Sequence, residues 1–177
     1  MKTNNTLLIL LLLFVTMVVK PDVSAATIDK KKSEVKNAER QKEYQAAVSA
    51  LKSQTFLVSF YSFIDKTGKM VILEPEGNFI TVNKDKFMMQ KSVSLVLITF
   101  AGTDNFKGEF ADFKLKESKN GNVQISFVLA NGGNALTFNG KMSKGDNVFE
   151  GSMKGKKEAR EIFLSGNVQP VKSRFIY

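Results

Sequence analysis

Three carboxylates, Asp104, Glu109 and Asp112, lie within nine residues of one another. Two nearby carboxyl groups are the acid and base of glycoside hydrolysis, so the trio is the first place to look for chemistry. Its spacing argues little for it. On one regular strand Glu109 and Asp112 have opposite parity and point to opposite faces, while Asp104 falls in the preceding loop. They read as solvated surface groups. A calcium site through Asp104, Asn105 and Glu109 lacks the alternating oxygen pattern of a dedicated loop. Gly151-Ser152-Met153-Lys154-Gly155-Lys156-Lys157 superficially resembles a phosphate-binding loop. Its glycine spacing is one residue short, no serine or threonine follows the lysine, and a strand rather than a helix comes next. A basic hairpin turn is the plainer reading.

The missing residue types exclude more. With no histidine, the chain lacks the side chain that most readily moves protons near neutral pH, and serine-histidine triads are impossible. With no cysteine, disulfides, thiolate catalysis and zinc-thiolate sites are also excluded. Only hard oxygen donors remain for a metal, suited to calcium or magnesium. The expectation is a noncatalytic protein with no cofactor and no metal.

What the chain has in abundance is phenylalanine: fifteen residues, beside three tyrosines and no tryptophan. Barrels of about eight strands either fill with side chains or hold one ligand. Phe127, Leu129, Leu136 and Phe138 are the clearest inward positions, and would wall a cavity for a small apolar or amphipathic ligand. Core packing is the plainer account of the same residues. A second binding reading uses charge, since the chain carries a net +9. Lys30, Lys31, Lys32, Lys36 and Arg40 could form a basic arm toward an envelope protein, a membrane or an anionic surface polymer. Glu34, Glu39 and Glu43 interrupt that run, which makes a solvated helix face the plainer reading and gives no reason to expect nucleic acid.

The elements that must position these residues are well marked. Asp29 to Ser53 contains no glycine or proline and is rich in good helix formers, so it predicts one helix. Tyr44, Ala47, Val48 and Leu51 share a face, and only the C-terminal turns should dock. From Thr55 the period changes to two, with strands expected near 55–63, 70–73, 78–83, 87–100 (with a break near Gln90), 108–117, 122–130, 135–143, 147–154 and 159–168. Thr67-Gly68, Glu76-Gly77, Asn120-Gly121, Asn131-Gly132-Gly133-Asn134 and Gly145-Asp146-Asn147 mark hairpin turns. The fold expected is mainly β: an antiparallel meander of about eight or nine strands, preceded by one N-terminal helix. It closes as a lipocalin-like barrel or packs as a sandwich. Thr55 to Ile64 and Val93 to Phe100 are apolar on both faces, which suggests an outer cover such as the helix. Alternating hairpin ends would place Lys69, Lys84, Lys86, Lys119 and Lys144 on one basic rim, with Glu74, Glu76 and Glu109 at the other end.

The N-terminus reads as an address. Lys2, a thirteen-residue apolar run from Leu7 to Val19, and Val23-Ser24-Ala25 before Ala26 form a secretory signal peptide with cleavage between Ala25 and Ala26. The run is shorter than the roughly 20 residues of a spanning helix. The organisation expected is a signal peptide at 1–25, a charged helix or linker at 26–53 and a β-rich domain at 54–177. No cysteine follows the cleavage point and no second apolar span exists, so no stable membrane anchor is expected after cleavage. The protein would then be exported, to the periplasm or the cell exterior.

Several short motifs follow in order: the charged helix leading into Ala46 to Phe56, Asn78-Phe79-Ile80-Thr81-Val82, Lys119-Asn120-Gly121-Asn122, Gly151, Leu164-Ser165-Gly166 and Val168-Gln169-Pro170. That order resembles a family of secreted proteins of unknown function common in Bacteroidetes. The resemblance covers nearly the whole chain after residue 25, and implies export and a β-rich domain. It implies no activity, cofactor or catalytic residue.

Overall fold

Alternating apolar and polar residues build one continuous wall. In the structure, a computed structural model describing residues 23–64, 67–91, 105–156 and 161–171, nine strands pair antiparallel in a single sheet. They are β1 (Thr55–Ile64), β2 (Met70–Ile72), β3 (Phe79–Asn83), β4 (Lys86–Gln90), β5 (Asn105–Glu117), β6 (Val123–Asn131), β7 (Asn134–Met142), β8 (Val148–Gly155) and β9 (Glu161–Pro170). β9 pairs back onto β1 from Phe56↔Pro170 to Ile64↔Phe163, so eight strands close into a barrel and β2 is extra. Closure, rather than a sandwich, satisfies both edges of β1. Expected residues 93–100 lie outside the described residues.

The turns are largely those that the sequence marks. Gly68, Gly121, Gly132 and Gly145 all have positive φ, between 57° and 84°. Glu76-Gly77 is different: it belongs to a 3₁₀ turn, Pro75–Gly77, and reverses nothing. β2 pairs with Ser62–Ile64 and β3 with Thr55–Ser59 along the same edge of β1, so they are two pieces of one interrupted descent. Loop parity shifts there. Lys69, in the β1–β2 turn, therefore lies at the opposite end of the barrel from Lys84, Lys119 and Lys144, correcting the expected rim.

β5 also departs from regular alternation. A bulge between Ala111 and Lys114 leaves Asp112 at φ 51° and inserts one extra residue against β6. Phe110 and Phe113 can then both face the core, where their rings approach at 5.4 Å. The bulge invalidates the strict parity argument for Glu109 and Asp112.

The barrel interior is filled by rings. Phe127 and Phe138, cross-strand partners, stack at 4.9 Å with planes 13° apart. Phe56 meets Phe110 and Phe127 edge-on, at 5.9 and 6.0 Å, and Phe60 stacks on Phe138 at 6.4 Å. Phe149 needs glycine to fit. A Cβ on Gly140 would stand 2.3 Å from its ring, and one on Gly151 would stand 2.6 Å away, so these paired glycines are required by the ring beneath them.

Helix α1 (Val23–Lys52) runs through two compact units, divided between Lys36 and Asn37. The first unit contributes the described residues 23–36. In the second, residues 37–43 are exposed, whereas Tyr44, Ala47, Val48, Ala50 and Leu51 are buried in the barrel's main core. The Tyr44 hydroxyl donates to the carbonyl of Gly121, and Lys52 pairs with Glu117 at 3.1 Å. Both partners flank the β5–β6 turn. The apolar stripe therefore caps the end of the barrel instead of covering the outer face of β1, because inward side chains at an open barrel end are left without neighbours. Leu57, on that outer face, is buried with Phe79 and Met88, and Val171 packs against them.

Burial, the Glu117 charge and, in the opposing sense, the Lys52 charge act on the Tyr44 hydroxyl; the net effect raises its pKa above the ordinary 10.0. The stability contributed by the protonated phenol is present below pH 10 and lost as pH rises through the raised folded-state value. Tyr44→Phe should cost about 1 kcal/mol at neutral pH and remove that alkaline loss, as read from urea unfolding of both proteins across the alkaline range.

Candidate functional site

The four expected cavity residues do come together. Phe127↔Phe138 and Leu129↔Leu136 are direct cross-strand pairs, and all four side chains are at most 1% exposed. They lie in the main core, where the aromatic contacts occupy the space between strands. Two concavities of the described surface are lined by none of them. Both concavities are grooves on the outside of the wall.

The first groove, of about 760 Å³, crosses β3 to β6. Thr81, Met88 and Lys107 form one bank by register, while Asn83, Lys86, Glu109 and Ala130 form the other. Its charges are mixed. Glu109 enters this groove without either of its expected partners: Asp112 is an exposed bulge residue, and Asp104 lies outside the described residues. Among the described residues no group of three potential metal-binding side chains occurs. The phosphate-loop lookalike falls inside strand β8 as far as Gly155, without a helix N-terminus in its described part.

The second groove, of about 740 Å³, crosses β5 to β8 and ends at Phe163 of β9. Its floor follows the backbone of Leu115, Ile125, Gly140 and Gly151, positions whose side chains, where present, point into the barrel. One bank is Lys114, Ser126, Asn139 and Ser152, leading to Phe163; the other is Lys116, Gln124, Lys141 and Glu150. The banks are internally bonded. Ser126 donates to Asn139 at 2.9 Å, Ser152 to Glu161 at 2.5 Å, and Lys141 pairs with Glu150 at 3.5 Å.

Register carries the first bank beyond the groove. Phe163 is the partner of Ile64 on β1, Ile64 is the partner of Met70 on β2, and Ile72 stands beside them opposite Ser62. These four are exposed by 54%, 37%, 60% and 74% respectively. Large apolar side chains scattered singly need no explanation, but a contiguous group marks a surface that meets something. Individually they fit ordinary alternating strands; only the barrel closure of β9 onto β1 joins them.

The arm reading has a simpler geometry. Lys30, Lys31, Lys32, Lys36 and Arg40 are all exposed on α1, the first four in the N-terminal unit. Ala25 and Ala26 lie in the first part of α1, while residues 1–22 are outside the described residues. No described helix is long and apolar enough to cross a membrane.

A fold of this kind, a helix-capped closed barrel with no assembled catalytic cluster among the described residues, defines a structural class more clearly than an activity. The chain belongs to the family described as "Domain of unknown function (DUF4251)", which matches residues 38–168. It is also similar to a crystal structure of a DUF4251 family protein from Bacteroides eggerthii DSM 20697, solved at 1.95 Å. That likeness has a TM-score of 0.63 at 23% identity, covering 76% of this chain and 91% of the other. It shows the shared fold. No curated protein matches the sequence.

The two kinds of phenylalanine separate experimentally. Phe138→Ala should cost about 3–5 kcal/mol of stability, as for other large core truncations, whereas Phe163→Ser should change it by about 0.5 kcal/mol or less. Denaturant unfolding measures both. Equal losses would contradict the exposed placement of Phe163.

Proposed function

We propose that this protein is an exported, noncatalytic binding domain that meets a small apolar or amphipathic ligand on the outside of its barrel wall. The observation that carries the reading is the continuous exposed row formed by Phe163, Ile64 and Met70, with Ile72 beside it. The filled interior supports it by leaving the outer wall as the available surface. An anilinonaphthalene sulfonate dye should bind wild type at a saturable site. Replacing Phe163 and Ile72 together by serine should weaken that site by about tenfold or more, since burying each side chain is worth about 1.5–3 kcal/mol. Val35→Ser, at an exposed position outside the row, should leave it unchanged. Undiminished dye affinity in the double variant would overturn the reading.

A second reading is an envelope interaction module for an anionic polymer or acidic protein. At the helix-capped end, Lys52, Lys84, Lys86, Lys119 and Lys144 outnumber Asp85, Glu117 and Asp146. Such an excess attracts anions through solvent, and the attraction is screened beyond ~10 Å at 0.1 M salt. Binding to immobilised heparin should fall steeply with salt, and fall again in Lys119→Glu with Lys144→Glu. Retention that ignores both salt and those substitutions would reject this surface.

A further inference from the structure

The second groove and the exposed apolar row are one surface whose chemistry changes in a single direction. From Lys114 the register line passes a hydroxyl, an amide and a second hydroxyl, then reaches the phenyl ring of Phe163 and the aliphatic side chains beyond it. Its cationic end has charge to spare. Lys141 is paired with Glu150, but Lys114 and Lys116 make no ion pair with a described residue. Neighbouring strands stand about 4.8 Å apart, so the polar groove runs ~19 Å from β5 to β9 and the apolar row extends it by ~10 Å to β2.

We infer that this surface binds an anionic glycolipid. The acidic group of the ligand pairs with Lys114 and Lys116, its sugar hydroxyls hydrogen-bond Gln124 and Asn139, and its acyl chain lies over Phe163 and Ile72. Amide side chains donate and accept at once, which suits hydroxyl-rich sugar. The exposed apolar side chains gain by leaving water under the chain. A soluble acidic oligosaccharide would leave the apolar row without a role, and an anionic phospholipid would leave the Gln124 amide and the Asn139 Nδ2 donors without one. This inference rests on the outer-wall reading and names its ligand class.

The test is flotation of the full-length protein with phosphatidylcholine vesicles carrying a sulfated galactolipid. A second arm carries phosphatidylglycerol at equal charge, and a third offers a water-soluble sulfated galacto-oligosaccharide as competitor. Residues 7–19 are common to every variant and every vesicle arm, so binding is compared at lipid concentrations where wild type floats only in part and differences in affinity stay visible. Wild type should prefer the galactolipid vesicles. Lys114→Glu with Lys116→Glu, Gln124→Ala with Asn139→Ala, and Phe163→Ser should each weaken binding by about tenfold, equivalent to about 1.4 kcal/mol. Val35→Ser, at an exposed position outside this surface, should not. Equal flotation with phosphatidylglycerol, or competition by the soluble oligosaccharide at the affinity of the vesicles, overturns the glycolipid. So does failure to float while dye binding remains sensitive to Phe163 and Ile72, an outcome that spares the outer-wall reading. Dye binding indifferent to those two residues removes both.

Discussion

Closing eight strands on themselves leaves an interior about wide enough for the strands' own side chains, and here that space goes to phenylalanine. The stacked pair Phe127 and Phe138 sits at its centre, with Phe56, Phe60 and Phe110 arranged around it. Other features follow from filling it. Paired glycines at 140 and 151 give way to the ring of Phe149, the β5 bulge turns Phe110 and Phe113 the same way, and the apolar stripe of α1 closes one end. A cavity and a stable core compete for the same volume in so small a barrel. The rings favour the core.

Strand alternation shapes the outside. Gly140 and Gly151 are inward positions kept bare for Phe149, and their outer side, like that of Leu115 and Ile125, floors the second groove. Gly108 has a comparable place in the first groove, where a Cβ would meet the Ala130 carbonyl at 2.0 Å. The grooves follow strand alternation, with outward side chains as banks and inward positions as floors. The interruption between β2 and β3 adds a short strand beside β1, and with it Met70 and Ile72. Membership of a family of unknown function assigns no role to that surface, so its chemistry has to be read from its own side chains.

Much of the fold was legible because alternation and turn residues act locally. β6 and β7 follow from Val123 to Leu129 and Leu136 to Met142, and the Gly121, Gly132 and Gly145 turns from their need for positive φ. Two breaks in alternation were harder to see. Pro75 to Gly77 has the composition of a hairpin turn but only interrupts a descent, and the bulge at Asp112 carries no residue type that announces it. Loop parity and strand-face parity fail at those two points, each through one local departure from a regular ladder.

The candidate site was less legible. Phe127, Leu129, Leu136 and Phe138 could be recognised as inward from their period, but whether they enclose space depends on rings arriving from β1, β5 and β8. Phe163 could be recognised as outward by the same rule, yet its neighbours Ile64 and Met70 are about a hundred residues earlier in the chain. The β period, the helix with one apolar stripe and the lack of histidine and cysteine chemistry follow from residue type and near neighbours alone. The ring-packed interior, the capped end and the polar-to-apolar band around the wall arise with the folded barrel. Those depend on barrel closure, which brings distant strands into register through contacts that no local spacing records.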